Sequence, residues 1–332
     1  MSAGAAPDTV PRVRWNRDAL SSWCHPDTLL VSSPSARRAA RDANLNVGDC
    51  RVVDARDLAD VADQAVARVI VLGAGTVIDA ATLTAHTRGV PLLVVPTVLS
   101  TDAAFSPVAA GRQGDTVIYH DTGTAEEVLL DMDLLLRVDW GLHLHGLGDV
   151  LAVESAATDW CARHPGQQRA LVAAARSLVD TAAAHAHLWR TPSAEGLELL
   201  AELLITKVQL GMLAGHPGFE EGTEHYLAYY LEPMLTGRVW HGDLLTACLL
   251  LCSRLQQWTA DRIDTIGELL SHLPGRDARR PQVLMPAEEI RRRLPEFGVY
   301  CQRHALENTL LLHQQPDPQV YDTAATAWER GW

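Results

Sequence analysis

The chain has 332 residues, more than one hydrophobic core ordinarily carries, so two domains are expected. Apolar residues make up 47% and charged ones 21%, which excludes extensive disorder. With 28 Lys plus Arg against 41 Asp plus Glu the net charge is −13, an unfavourable average field for a polyanion, and nucleic acid is excluded as an expected partner.

The N-terminal stretch MSAGAAPDTV has neither a basic nor an apolar signal region, and no run approaches the ~18 apolar residues of a membrane helix. The six cysteines form no CxxC pair, and Cys248 and Cys252 lie at helical spacing on an apolar stretch, as buried free thiols do in a reducing compartment. A cytoplasmic protein without membrane association is expected, with homo-oligomer formation left open.

From residue 28 onward, β-rich runs alternate with helical ones. TLLVSS precedes SARRAARDA, CRVVDA precedes DLADVADQAVA, RVIVLG precedes TVIDAATLTAHTRG, and PLLVVP and TVIYHD follow. Unbroken apolar strands separated by helices predict a parallel sheet covered on both faces, hence a doubly wound, Rossmann-like α/β domain over residues 1–138. Past Trp140 the β-rich runs stop. Leu, Ala and Val at three- and four-residue spacing predict helices over 149–163, 167–190, 194–214, 223–232, 241–258 and 260–272, an all-helical domain over residues 139–332. Lys207 is the only lysine in the chain, so Schiff-base chemistry would rest on it alone.

Three places concentrate chemistry. RVIVLG runs into Gly73-Ala74-Gly75-Thr76 and then a helix, a small-residue turn that lets backbone N–H groups and a helix N-terminus meet a pyrophosphate. Without a third glycine, an ordinary tight turn is the competing reading. PLLVVP opens into the polar loop Thr97 to Pro107, beyond a strand's carboxyl end, where open α/β sheets bind ligands. In the helical half, Asp149, His225 and His241 could supply one carboxylate and two imidazoles to a metal with open positions, and the nearer set His143, His145 and Asp149 is the rival.

The segments from Arg68 to Trp160 and 211–252 resemble the glycerol dehydrogenase and glycerol-1-phosphate dehydrogenase branch of the iron-containing alcohol dehydrogenase superfamily, which is related to the dehydroquinate synthases. GAGTVIDAA resembles the family's GGGxxxD turn and PTVLSTDAAFSPVA its PTxxSTDAxxS loop. GLGDVLAVESAATDW is similar to the GxGDxLxxxxxxxDW helix, and EGTEH and HGD to the GSEH and HGE segments. The resemblance implies NAD(P)H bound at Gly73, Ala74, Gly75 and Thr76, with Asp79 supporting the turn and Thr97, Ser100 and Phe105 bordering the cofactor. It implies one divalent metal, zinc or iron, on Asp149, His225 and His241, and it places Asp102 against the substrate as the catalytic-side residue. His143 and His145 then become structural.

Several positions depart from the family pattern. Ala74 replaces a glycine and needs φ below zero, Asp243 replaces a glutamate, and Gly218 and Glu221 stand where many glycerol-1-phosphate dehydrogenases carry Arg and Ser. Glu221, with Glu220 and Glu224 nearby, places negative charge near the substrate, which makes a phosphorylated substrate less secure. Ser32 and Ser33 followed by Arg37 and Arg38 favour a 2′-phosphate over a bare ribose.

The expected activity is metal-dependent, NAD(P)-linked interconversion of a secondary alcohol and a ketone on a small polyol or polyol phosphate. A sugar-phosphate cyclase and a non-catalytic protein retaining the fold are the rivals. The first is opposed by the lack of a lysine between Asp149 and Ala152, the second by the intact Asp149, His225 and His241. Removing any one ligand is expected to strip the metal and leave the fold largely intact.

Overall fold

The computed structural model describes residues 10–235, 239–275, 281–312 and 316–332. Two compact units emerge, one comprising the chain up to Gln113 with Val117–His143 and Ser193–Glu198, the other Gly114–Thr116, Leu144–Pro192 and the chain from Leu199 onward.

The first unit holds β1 (Arg12–Arg14), β2 (Thr28–Ser32), β3 (Arg51–Asp54), β4 (Arg68–Gly73), β5 (Leu92–Pro96), β6 (Val108–Gln113), β7 (Thr116–Asp121) and β8 (Glu127–Leu129). Six of them form one all-parallel sheet in the order β1-β8-β5-β4-β2-β3. β2 and β5 are buried at every position and β4 from Val69 onward, as unbroken Leu, Val and Ile runs must be when helices cover both faces. The covering helices begin with α1 (Asp18–Trp23), α2 (Pro34–Asp42) and α3 (Gly75–Arg88). Ser33 caps α2 by accepting from Ala36 N, with Pro34 at the first helical position, and Gly89 ends α3 at φ 63°. β2 lies between β3 and β4, so the strand order reverses there, and the loops leaving β2 and β4 flank the switch point where doubly wound sheets take ligands.

Three details differ from the expected pattern. TVIYHD does not join the parallel sheet: it pairs with β6 in a separate two-stranded ribbon, because Gly114 at φ 63° turns the chain straight back. The stretch after β3 winds as a 3₁₀ segment, Ala55–Val61, with no buried residue to reward a longer helix. β1 and β8 are only three residues long, too short for a periodic signal.

After the short α4 (Met132–Leu135) and α5 (Trp140–His143) of the first unit come α6 (His145–Arg163), α7 (Arg169–Ala184), α8 (Ala194–Ala214), α9 (Thr223–Leu231), α10 (His241–Leu255), α11 (Ala260–Ser271), α12 (Ala287–Arg293), α13 (Phe297–Arg303) and α14 (Pro318–Arg330). α6 and α10 are central, buried on nearly every side and packed on each other and on α9, with α7 against α6 and α14 against α10. They approach closely because two glycines meet: a Cβ on Gly148 would collide with the carbonyl oxygen of Gly242, and one on Gly242 with that of His145. That contact explains the glycines of GLGD and HGD and draws the starts of the two helices together.

Candidate functional site

The turn after β4 is built from backbone. Ala74 is extended at φ −139°, so its methyl group is tolerated where the family has glycine. Gly75 has φ +32° with open space where a Cβ would point. No side chain caps α3, whereas Ser33 caps α2 and Asp131 caps α4. An uncapped first turn behind a glycine leaves N–H groups and the positive end of the helix available to an anion, the chemistry a pyrophosphate would need.

Thr97 N donates to Gly73 O at 2.8 Å, tying the second loop to the first. Asp79 accepts from Ala110 N at 3.0 Å and so anchors β6. Burial, with the charge of Asp102 adding to it, pushes the Asp79 carboxyl up to about 6. Within the loop Asp102 O accepts from Phe105 N and Ser106 N, and Ser100 and Asp102 are part-exposed. Phe105 exposes no surface and supports the loop from within. Beyond β2, Arg37 Nη1 donates to Ser32 Oγ at 2.9 Å, while Arg38 is exposed.

In the second unit a charged cluster is buried among helices. Asp149, on α6, is 2% exposed, and its Oδ1 receives Lys207 Nζ of α8 at 2.8 Å, with His225 Nε2 of α9 at 3.5 Å. Glu224 Oε1 holds His225 Nδ1 at 2.8 Å and also accepts from Gly222 N. A carboxylate on one imidazole nitrogen turns the other toward a ligand, the outer arrangement common to metal-bound histidines. Burial works against protonation of His225, but Glu221, Asp149 and Glu224 outweigh it and hold its pKa up at about 10. Burial likewise opposes ionisation of Asp149, and Lys207 and His225 keep it well below the usual carboxylate range. The surroundings of His225 are thus anionic, a field that favours a divalent cation as it favours the imidazolium.

The ring of His241, at the start of α10, lies 5.4 Å from that of His225. The 3.5 Å between Asp149 Oδ1 and His225 Nε2 is near the roughly 3.4 Å separating two donors each about 2.1 Å from one tetrahedral ion. Among the described residues no three His, Cys, Asp or Glu side chains close on one point. The donor chemistry and the Asp149–His225 edge fit a divalent ion, His241 stands next to them, and Lys207 occupies the flank of Asp149.

The rival set is not assembled. His143 accepts from Leu99 N at Nδ1 and reaches Leu135 O at 3.0 Å through Nε2, so both ring nitrogens are committed. His145 Nδ1 lies 3.4 Å from Asp243, and its ring stacks on Trp240. Asp159, the acid of the DW pair, accepts from Thr223 N, Thr223 Oγ1 and Leu310 N, and burial raises its pKa to about 7. It therefore fixes the first turn of α9 and, through it, the height of His225.

Sequence reasoning did not place Lys207 in this cluster. Its signal was its position: Leu200, Leu204 and Gly211 share its buried helix face at three- and four-residue spacing, and a lone lysine on such a face must find a carboxylate.

The model of the family "Iron-containing alcohol dehydrogenase" matches residues 34–137. The glycerol-1-phosphate dehydrogenase [NAD(P)+] of Aeropyrum pernix is 27% identical over 233 residues, 65% of this chain and 66% of that protein, so the chain matches just under two thirds of the length of such curated relatives. Among solved structures, a probable glycerol dehydrogenase from Sinorhizobium meliloti superposes with a TM-score of 0.74 at 16% identity, covering 98% of each chain. A sulfoacetaldehyde reductase from Bifidobacterium kashiwanohense, solved with NAD+, gives a TM-score of 0.64 at 16% identity, covering 99% of this chain and 98% of that one. No described helix is long and apolar enough to cross a membrane. The family model, the glycerol-1-phosphate dehydrogenase relatives and the fold of the solved dehydrogenases all point the same way, and the chain is similar to the iron-containing alcohol dehydrogenases.

Proposed function

We propose that the chain is a metal-dependent, NAD(P)-linked oxidoreductase that interconverts a secondary alcohol and a ketone on a small polyol or polyol phosphate. The observation that carries this reading is the buried Asp149–His225 edge, backed by Glu224, on helices whose GLGD and EGTEH motifs resemble those of the iron-containing alcohol dehydrogenases. Asp149, His225 and His241 are the residues to hold the ion, zinc or iron, and Gly73, Ala74, Gly75 and Thr76 those to hold the cofactor's pyrophosphate. A divalent ion held by Asp149, His225 and His241 would supply Lewis acidity for a substrate oxygen, and a nicotinamide dinucleotide held at Gly73 to Thr76 would supply hydride chemistry. Glu224 keeps the Nε2 face of His225 toward Asp149, and burial of both groups excludes water from their surroundings. Asp102, in the loop beyond β5, is the group offered to a substrate hydroxyl.

Glu221 bears on substrate charge. Its carboxylate accepts from Tyr229 Oη at 2.7 Å and is the foremost charge raising the pKa of His225, so its field reaches the proposed ligand. A carboxylate there opposes a phosphate dianion, and the favoured substrates are unphosphorylated or amine-bearing polyols. Purified protein loaded with zinc or iron is to be assayed with dihydroxyacetone and dihydroxyacetone phosphate, following oxidation of NADH and NADPH. Metal-dependent turnover is expected, with the unphosphorylated ketone preferred and Glu221→Ser shifting kcat/KM toward the phosphate by roughly tenfold. A wild-type preference for the phosphate that Glu221→Ser leaves unchanged would overturn the substrate assignment, and absence of nicotinamide turnover with either metal would overturn the activity.

A further inference from the structure

The only lysine of the chain lies against the carboxylate proposed to hold the metal. Lys207 is 2% exposed and its Nζ is 2.8 Å from Asp149 Oδ1, the same oxygen that His225 Nε2 faces at 3.5 Å. A buried ammonium is costly unless a carboxylate compensates it, and a buried carboxylate is costly unless a cation does. Each group therefore stabilises the other while no ion is bound. An ion bonded to Asp149 Oδ1 at about 2.1 Å would lie within about 5 Å of Nζ where it now stands, with little water between to screen the repulsion. Lysine and metal compete for one oxygen in one dry space.

We propose that Lys207 is a built-in rival of the metal: its ammonium holds Asp149 in the metal-free protein, and a divalent ion loads only by drawing Asp149 away from it. The proposal rests on the metal reading of Asp149 and His225. It accounts for the Lys207 ammonium and the His225 imidazole facing one and the same oxygen of Asp149 in a buried space. Lys207 thereby sets the metal concentration at which the protein fills. Its positive charge, beside the imidazole of His225, also keeps the buried carboxylate compensated before filling.

The test measures zinc affinity of the chelator-stripped full chain by competition with a chromophoric chelator, a readout independent of catalysis. Lys207→Met removes the charge and nearly preserves the length, Lys207→Gln serves if the methionine variant folds poorly, and Lys207→Arg keeps the charge. Lys207→Met or Lys207→Gln is expected to bind one zinc about ten- to a hundredfold more tightly than wild type, with Lys207→Arg near wild type. Adding Asp149→Asn to the Met variant should remove the gain. Equal or weaker zinc binding in both neutral variants, with Asp149→Asn still abolishing it, overturns the rivalry and leaves the metal site standing. No zinc in any variant overturns the metal reading and the rivalry together.

Discussion

The turn that leaves β4 and the cluster around Asp149 both gather groups suited to a charged ligand, but from opposite materials. The turn uses neighbouring backbone N–H groups from Gly73 to Thr76, and its geometry follows from φ/ψ at Ala74 and Gly75. The cluster uses side chains from α6, α8, α9 and α10, up to ninety-two positions apart between Asp149 and His241, with the buried Asp149, Lys207, His225 and Glu224 set against one another. A backbone site can lose a ligand and remain a turn. A buried charge cluster cannot lose a member without leaving another uncompensated.

The largest expected effect tests that asymmetry. Asp149→Asn leaves the Lys207 ammonium buried without its carboxylate, and metal-free stability in urea is expected to fall by about 3–5 kcal/mol. This revises the expectation drawn from sequence, under which the substitution removes metal and spares the fold. Combining Asp149→Asn with Lys207→Met should recover much of the loss, since both charges then go together. A single-variant loss below about 1 kcal/mol would show that water reaches the pair and that the cluster is not interdependent.

The same contrast explains what could be read in the sequence. The strands β2, β4 and β5, buried on both faces, announce themselves as unbroken Leu, Val and Ile runs, and the turn after β4 follows directly from one of them. The long helices were legible through their apolar spacing, and the resemblance of GLGD, EGTEH and HGD gathered Asp149, His225 and His241 as candidates. Those motifs hold their glycines for a reason that needs three dimensions, since Gly148 and Gly242 touch across two helices. Lys207 escaped because no motif contains it: its role depends on a partner fifty-eight positions earlier, and only burial of its helix face reveals the need for one. The ribbon of β6 and β7 escaped because TVIYHD has the composition of a core strand, although its last three residues are exposed.

The next effect falls on ligand binding and leaves folding nearly untouched. Gly75 has φ +32° and nothing within 4 Å of a built Cβ, so Gly75→Val meets local backbone strain of roughly 1–2 kcal/mol with open space at its Cβ. The branched side chain would instead fill the space the pyrophosphate needs. Fluorescence titration should show NAD(P)H affinity reduced by about a hundredfold or more, with urea denaturation showing only the small strain. Affinity within about twofold of wild type would mean that the turn binds nothing and that its glycine serves the backbone alone.

The smallest effect concerns a place where the α/β unit borrows the helical unit's method and fixes a loop with a buried side chain. His143 has no exposed surface, and it accepts Leu99 N–H at Nδ1 and reaches Leu135 O through Nε2. Protonating Nδ1 would break the bond to Leu99 in the middle of the Thr97 loop. Burial, foremost, depresses the pKa of His143 from the ordinary 6.5 to about 4. The unfolded chain therefore takes up this proton below about 6.5, while the folded protein refuses it until about 4. Linkage gives the direction: the contribution is full above 6.5 and is lost as the pH falls from there toward 4. Roughly 1 kcal/mol should be gone by about pH 5.5. Other buried groups titrate in the same range, Asp159 with the opposite sign because its pKa is raised to about 7, so the measurement is the difference between wild type and His143→Gln. The glutamine variant lacks the titration, and its deficit relative to wild type should be constant above about pH 7 and shrink steadily as the solution is acidified. A deficit independent of pH would show that His143 is held in the loop by shape, with its neutral imidazole contributing nothing of its own.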